Sequence, residues 1–557
     1  MSFSKGLVLA DLDDFITPSQ ACVKPVEKPA KSVAGNGQEN SARADGALPR
    51  MTIEIDGDTG DHFEYDEHGT ATKLETATIS LTDCLACSGC ITSAETVLVQ
   101  MQSHHKLYKV LENNSSCRAQ GKLTDLKVVV VSLSPQTCAS FAAKYSLRGG
   151  LEEAAMKLTA FLKGLGVDYV FDIAIARDVS LIESSKEFLH RYQTYQAAAP
   201  QGKRSEQPQI LPMLASACPG WICYAEKTHG QLLGYVSITK SPQQIMGSIV
   251  KQFFAKRNSI SPDRIYHVTV MPCYDKKLEA SREDFYSDIY STRDVDCVLT
   301  SGEVERMLQD HNLAQPNLST LGTSYMDCIF SLAGTMDYEA EVAKTCQDAA
   351  WNDYGRYSSR FSISQSSAGG YLEFTMMAAA HFLYGKEILS SDLNQSTDSG
   401  VLSIRTIRNS DFREIVLQDE QGKPLLKFAS AYGFRNLQNI VRKLKISPSP
   451  PYHYVEVMAC PSGCINGGGQ LKTELQTAKD WVQKMKATYS QIQGIATLGI
   501  PPPHTNPWVQ RLYREWFLVD NPFDAQPNPL LSEVIHTQYH AIEKPAPSIA
   551  MGLASKW

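Results

Sequence analysis

From about residue 125 onward, short apolar runs alternate with amphipathic stretches. KVVVVSLSP (127–135) sets four consecutive valines ahead of a Ser-Pro turn, the pattern of a strand covered on both faces of a sheet. GGLEEAAMKLTAFLKGLG (149–166) places Leu151, Ala154, Ala155, Leu158, Phe161 and Leu162 at helical spacing and closes on Gly164 and Gly166. VDYVFDIAIARD (167–178) contains the next strand, and strand, helix, strand with short links predicts a right-handed parallel crossover. Further strands are predicted in ILPML (210–214), RIYHVTVM (264–271), LKFASAY (426–432) and YHYVEVMA (452–459). Helices are predicted in FRNLQNIVRKLK (434–445) and PWVQRLYREWFL (507–518). The alternation predicts an α/β fold with parallel sheets. No fixed-period repeat runs through the chain.

Length adds organisation. At ~150 residues per domain, 557 residues predict roughly three or four domains. EKPAKSVAGNGQENSARADGALPR (27–50) has almost nothing to bury and reads as a flexible linker. AAAPQGKRSEQPQ (197–209) reads as a surface insertion. The formal charge of −7, from 53 basic and 60 acidic residues, gives no support for nucleic-acid binding. The start, MSFSKGLVLADLDDF, lacks a secretory apolar run, and no apolar stretch approaches the ~20 residues of a membrane helix. A cytoplasmic protein is expected, with reduced thiols. There, clustered cysteines among the 14 are metal ligands or catalysts rather than disulfides.

DCLACSGCITSAE (83–95) places Cys84, Cys87 and Cys90 at three-residue spacing. Two-residue gaps let the backbone curl round a metal with its N–H groups facing the sulfurs, and Ser88 and Gly89 suit the turn. The spacing matches the C-x₂-C-x₂-C part of a ferredoxin-type run, whereas structural zinc usually takes two separated pairs. A 4Fe–4S cube needs a fourth ligand. The usual following Cys-Pro is absent, and spacing leaves Cys22 and Cys117 both open.

A second set lies just past predicted strands. ASACPGW (215–221), MPCYDKK (271–277) and EVMACPSGCINGGGQ (456–470) carry Cys218, Cys273, Cys460 and Cys464. Ligands of open α/β sheets bind outside the carboxyl ends of the strands, so these loops are expected to converge on one site. Cys460 and Cys464 suit one face of a nascent helix, and Gly467-Gly468-Gly469 suits close backbone approach to a bulky cofactor.

The three loops resemble the signature loops of iron-only (FeFe) hydrogenases. DVDCVLTSGEVERML (294–308), SSAGGYLEF (366–374) and LLSEVIHTQYH (530–540) extend the likeness in order over about 80–560. In that family the four loop cysteines hold a 4Fe–4S cube, and the last also bridges to a diiron centre. Two α/β lobes with parallel sheets sandwiching the cluster are implied. An active hydrogenase has a proton-relaying cysteine just before the first-loop ligand; here that position is Ala217, whose methyl group cannot carry a proton. Lys276 matches the lysine that holds a diiron ligand; otherwise it reads as a surface residue or one offsetting thiolate charge at Cys273.

With ADLDDFITPSQACVKP (10–25) and a single further Cys triplet, the chain resembles the eukaryotic iron-only hydrogenase-like proteins of cytosolic iron–sulfur assembly. That resemblance implies Cys22 as the fourth N-terminal ligand and two 4Fe–4S clusters without a diiron centre. It also implies no hydrogenase activity, and a role linking early scaffold NTPases to a late WD-repeat β-propeller targeting complex. The division it implies is 1–26 ligand-bearing segment, 27–50 linker, 51–124 N-terminal cluster region, 125–300 and 301–500 the two lobes, and 501–557 small-subunit-like segment and tail. The terminal Trp557 resembles aromatic docking tails, although Ser555 and Lys556 depart from the usual acidic residue. An active hydrogenase and an electron-transfer protein are the competing readings. A nuclear, lamin-binding role has no residue-level support. Cys117, Cys138, Cys223, Cys297, Cys328 and Cys346 are read as structural.

Overall fold

In a computed structural model of the chain, the described residues are the strands within 52–73, residue 99, and 101–198, 210–311, 321–330, 366, 368–389, 392–393, 400–407, 409–446, 450–490, 502–524 and 528–542. Cys22, Cys84, Cys87, Cys90, Cys346, Trp557, the linker and most of the 197–209 stretch lie outside them. The chain divides into two units, Met1–Ile91 and Thr92–Trp557. In the first, β1 (Thr52–Ile55), β2 (His62–Tyr65) and β3 (Ala71–Lys73) form an antiparallel sheet in that order.

The second unit is α/β. Its first sheet uses β4 (Val128–Leu133), β5 (Tyr169–Asp172), β7 (Ile265–Met271) and β10 (Cys297–Thr300), with β6 (Met213–Ala215) and a small hairpin of β8 (Tyr286–Ser287) and β9 (Thr292–Arg293) between them in sequence. The order is β10-β7-β4-β5, parallel throughout. The second sheet runs β11 (Leu402–Thr406), β12 (Phe412–Gln418), β13 (Pro424–Tyr432), β14 (Tyr454–Met458) and finally β6. It is parallel from β13 to β6 and antiparallel from β11 to β13. A strand early in the chain thus completes the later sheet.

The valine run behaves as a doubly covered strand must. Val129 and Val131 enter one core with Phe141 and Leu158, while Val130 faces another with Phe171 and Phe188. The crossover from β4 to β5 uses two helices, α1 (Pro135–Tyr145) and α2 (Gly150–Gly164). All six apolar positions read as the α2 stripe are buried. Helix α1 was not anticipated, because its buried run of Thr137, Cys138, Ala139 and Ser140 shows no apolar stripe. Its start follows a familiar rule: Ser134 accepts a hydrogen bond from Thr137 N, and Pro135 stands at the first turn. The long α3 (Ala174–Ala198) ties the sheets together through Phe188, whose ring packs edge-on 5.0 Å from Phe428 and 5.5 Å from Tyr454 of the second sheet.

Two histidines are built in neutral. His267 on β7 is fully buried; its Nδ1 donates to the Asp294 carbonyl at 3.0 Å and its Nε2 accepts from Ser132 Oγ at 2.9 Å. Burial lowers its pKa to about 3, and burial beside Lys427 lowers that of His453 to about 4. Both values lie below the unfolded 6.5, so acid protonates the unfolded chain first. Their stabilising contribution is present above pH 6.5 and is lost as pH falls towards 4. Between pH 7 and pH 5 the two should cost the fold roughly 4 kcal/mol, about 2 kcal/mol each. Urea unfolding of wild type and a His267→Gln/His453→Gln variant at both pH values checks this; equal pH dependence in the two proteins would refute it.

Candidate metal centre

The sheet register explains why three distant loops meet. Strands β6 and β14 are parallel neighbours, with Met213 opposite Tyr454 and Ala215 opposite Glu456, so their carboxyl ends emerge side by side. Three residues beyond β6 stands Cys218, two beyond β14 stands Cys460, and Ala459 N donates to Cys218 Sγ at 3.4 Å. Ser216 sets the first loop: its hydroxyl donates to the Val457 carbonyl at 2.5 Å and accepts from Cys218 N at 3.1 Å. Cys218 then caps α4 (Pro219–Thr228). Cys273 arrives from the other sheet, two residues beyond β7.

The third loop is braced against the second. Gly469 N donates to the Pro272 carbonyl at 2.9 Å, and Gly302 N donates to the Gly469 carbonyl at 3.0 Å. A Cβ on Gly467 would stand 2.3 Å from the Pro272 oxygen, and one on Gly469 2.7 Å from Thr300 Cγ2. The glycines therefore serve the contact between two protein loops, beyond the approach to a cofactor anticipated for them. Between Cys460 and Cys464 the chain does not form helix. Ser462 and Gly463 adopt φ of 65° and 79°, and a single 3-10 turn begins at Cys464.

Cys218, Cys273, Cys460 and Cys464 line one cavity of about 780 Å³ including its mouth. Cys218 is buried and the other three are partly exposed. Burial, then the Asp275 carboxylate, holds the Cys218 and Cys273 thiols above their usual range. Burial, then the neighbouring thiols, does so for Cys460, and burial raises Cys464 to about 12. Four thiolates crowded together need a cationic core among them. Among the described residues no three His, Cys, Asp or Glu side chains close on a single ion. Four sulfur donors lining one cavity fit an iron–sulfur group.

Ala217 lines the same cavity and a neighbouring one of about 430 Å³. Lys276 is buried, not at the surface: its Nζ meets Ser241 Oγ at 3.0 Å and Glu279 Oε2 at 2.9 Å. Three contributors were missed from sequence. Ser216 lies two residues before Cys218, and Asp275 two after Cys273, where burial raises its carboxyl pKa. Arg177, in the first turn of α3, lines the cavity with almost no exposure. Cys138, Cys297 and Cys328 are buried and outside any disulfide; Cys117 and Cys223 are partly buried, with Cys223 lining the smaller cavity.

Parallel sheets whose strand ends deliver four cysteines to one cavity define a hydrogenase-like iron–sulfur protein. A family model described as "Iron only hydrogenase large subunit, C-terminal domain" matches residues 127–468. "Cytosolic Fe-S cluster assembly factor narfl" of Xenopus tropicalis is 45% identical over 557 residues, spanning 100% of this chain and 99% of that protein. "Cytosolic iron-sulfur assembly component 3" of Mus musculus is 44% identical over 556 residues, with the same coverage. In fold, the chain is similar to apo FeFe-hydrogenase HydA1 from Chlamydomonas reinhardtii, with a TM-score of 0.59 at 24% identity, over 79% of this chain and 99% of that one. The chain belongs to the iron-only hydrogenase-like family, in the branch of these assembly-factor relatives. Among the described residues no helix is long and apolar enough to cross a membrane.

Proposed function

We propose that this chain is a non-catalytic factor of cytosolic iron–sulfur cluster assembly that holds two 4Fe–4S clusters. The observation that carries the reading is the convergence of Cys218, Cys273, Cys460 and Cys464 on one cavity in which Ala217 takes the place of an ionisable neighbour. The names of the relatives support the cellular role. Cys218, Cys273, Cys460 and Cys464 would hold the inner cluster; Cys22, Cys84, Cys87 and Cys90 would hold the second. Segments 1–26, 27–50 and 51–124 would then serve the second cluster, 125–300 and 301–500 the inner one, and 501–557 would end in a docking tail at Trp557. The inner cluster would keep the two sheets together, because binding free energy that only the folded site can gain stabilises the fold. The N-terminal cluster would serve exchange or recognition between scaffold NTPases and a β-propeller targeting complex.

Bound iron–sulfur chemistry would supply electron storage or a cluster for transfer. The residues of this chain supply the thiolates, the buried setting and the Lys276 charge. No group at Ala217 can move a proton towards that site, so hydrogen evolution is not expected. Anaerobically purified protein should contain about 8 iron and about 8 acid-labile sulfide per chain and evolve no hydrogen from reduced dye. An excess of about 2 iron over sulfide, with hydrogen evolution, would return the chain to the active hydrogenases.

A further inference from the structure

The cavity extends past its cysteines to the first turns of α1 and α3, where Pro135, Ala174 and Arg177 line it. Arg177 is 5% exposed. Its Nη2 reaches Asp178 Oδ1 at the long distance of 3.5 Å, Tyr489 also hydrogen-bonds the group, and Asp172, which accepts from Ala174 N at 2.9 Å, adds a nearby carboxylate. Asp178 is itself held at 3.1 Å by Asn506 Nδ2. Among the described residues the Arg177 Nε–H has no partner. A buried charged donor left open in this way is costly unless something accepts from it.

The surroundings say what that acceptor is. Helices of 11 and 25 residues begin at this wall, and helix N-termini favour negative charge. Lys276, ion-paired to Glu279, adds a second buried cation to the lining, which also contains Asp275. A cationic guest would be repelled, and an anionic acceptor makes a stronger, charge-assisted bond to the Nε–H than a neutral one does. We propose that this end of the cavity is a subsite for a small monovalent anion, of the size of a simple carboxylate, bound by the Arg177 Nε–H beside the four-cysteine wall. The subsite shares its cavity with the four cysteines, so its charge environment rests on the cluster reading.

The test uses iron-replete protein in low-chloride buffer and sodium formate as probe, followed by isothermal titration calorimetry. Wild type should bind one formate per chain saturably. Arg177→Gln should weaken it roughly 10- to 100-fold, the range for one charge-assisted hydrogen bond. Arg177→Lys, which keeps the charge and loses the planar Nε donor, should fall between them and serves if Arg177→Gln does not fold. Equal affinity in wild type and the variants, or no saturable binding to wild type, overturns the proposal. Iron assayed on the same samples separates the two readings. Formate binding by protein that cannot be loaded with iron would keep the anion subsite and sink the cluster, while full iron without formate binding does the reverse.

Discussion

Cys218→Ala is expected to halve the iron content, from about eight to about four per chain, and to lower the melting temperature by about 10 °C or more. The size follows from where the residue sits. Its sulfur accepts from Ala459 N, next to Cys460, and its loop is fastened to β14 through Ser216 and Val457. Losing this corner removes one of the four donors from a cavity walled by both sheets and leaves three partly exposed thiols with no core to offset them. Cys84→Ala should also lose about four iron, yet melt within a few degrees of wild type, because its cluster would be served by other segments. Iron analysis with thermal unfolding of both variants decides the matter. A folded, soluble Cys218→Ala beside a collapsed Cys84→Ala would invert the roles assigned to the two clusters.

Much of this site was legible because strand ends carry local signatures. Runs such as YHYVEVMA and RIYHVTVM end where β14 and β7 end, within a residue or two, and the cysteines follow. What the pattern could not reveal was pairing. Met213–Ala215 is only three residues long, and nothing local says that it joins β14 rather than the sheet formed by its neighbours in sequence. That single pairing brings Cys218 to Cys460. The antiparallel strands β11 and β12 were also missed. Glu414 interrupts the apolar alternation of β12, and its carboxylate is met by Lys427 on β13, 3.2 Å away, and by Tyr452. Helix α1 lacked a stripe because it is covered on most sides by small and hydroxyl residues that only the packed structure satisfies, such as Thr137 against Ser134 and Ser301. Arg177 gave no signal at all. An arginine in the first turn of an amphipathic helix is ordinarily a solvated residue, and its burial follows from the crossing of α3 between the sheets.

Gly467→Ala should be the most damaging single-methyl change in the site. The backbone there has φ of −63°, which alanine adopts without strain, so conformational preference is not at issue. The obstacle is steric: the new methyl would lie 2.3 Å from the Pro272 oxygen and 2.9 Å from its carbonyl carbon. Neither atom can swing aside as a side chain would. The same oxygen accepts from Gly469 N, and the next residue is Cys273, so relief must separate the Cys273 loop from the Cys464 loop. Overpacking of this kind costs about 1–3 kcal/mol where side chains can yield, and a backbone clash should exceed that range. The expected result is loss of about four iron per chain together with a lower melting temperature. Gly164→Ala is the control. Nothing lies within 4 Å of its Cβ position at the end of α2, so it should be neutral or gain up to about 1 kcal/mol. A Gly467→Ala protein with full iron and unchanged melting would mean that the two loops do not need their close approach to hold the cluster.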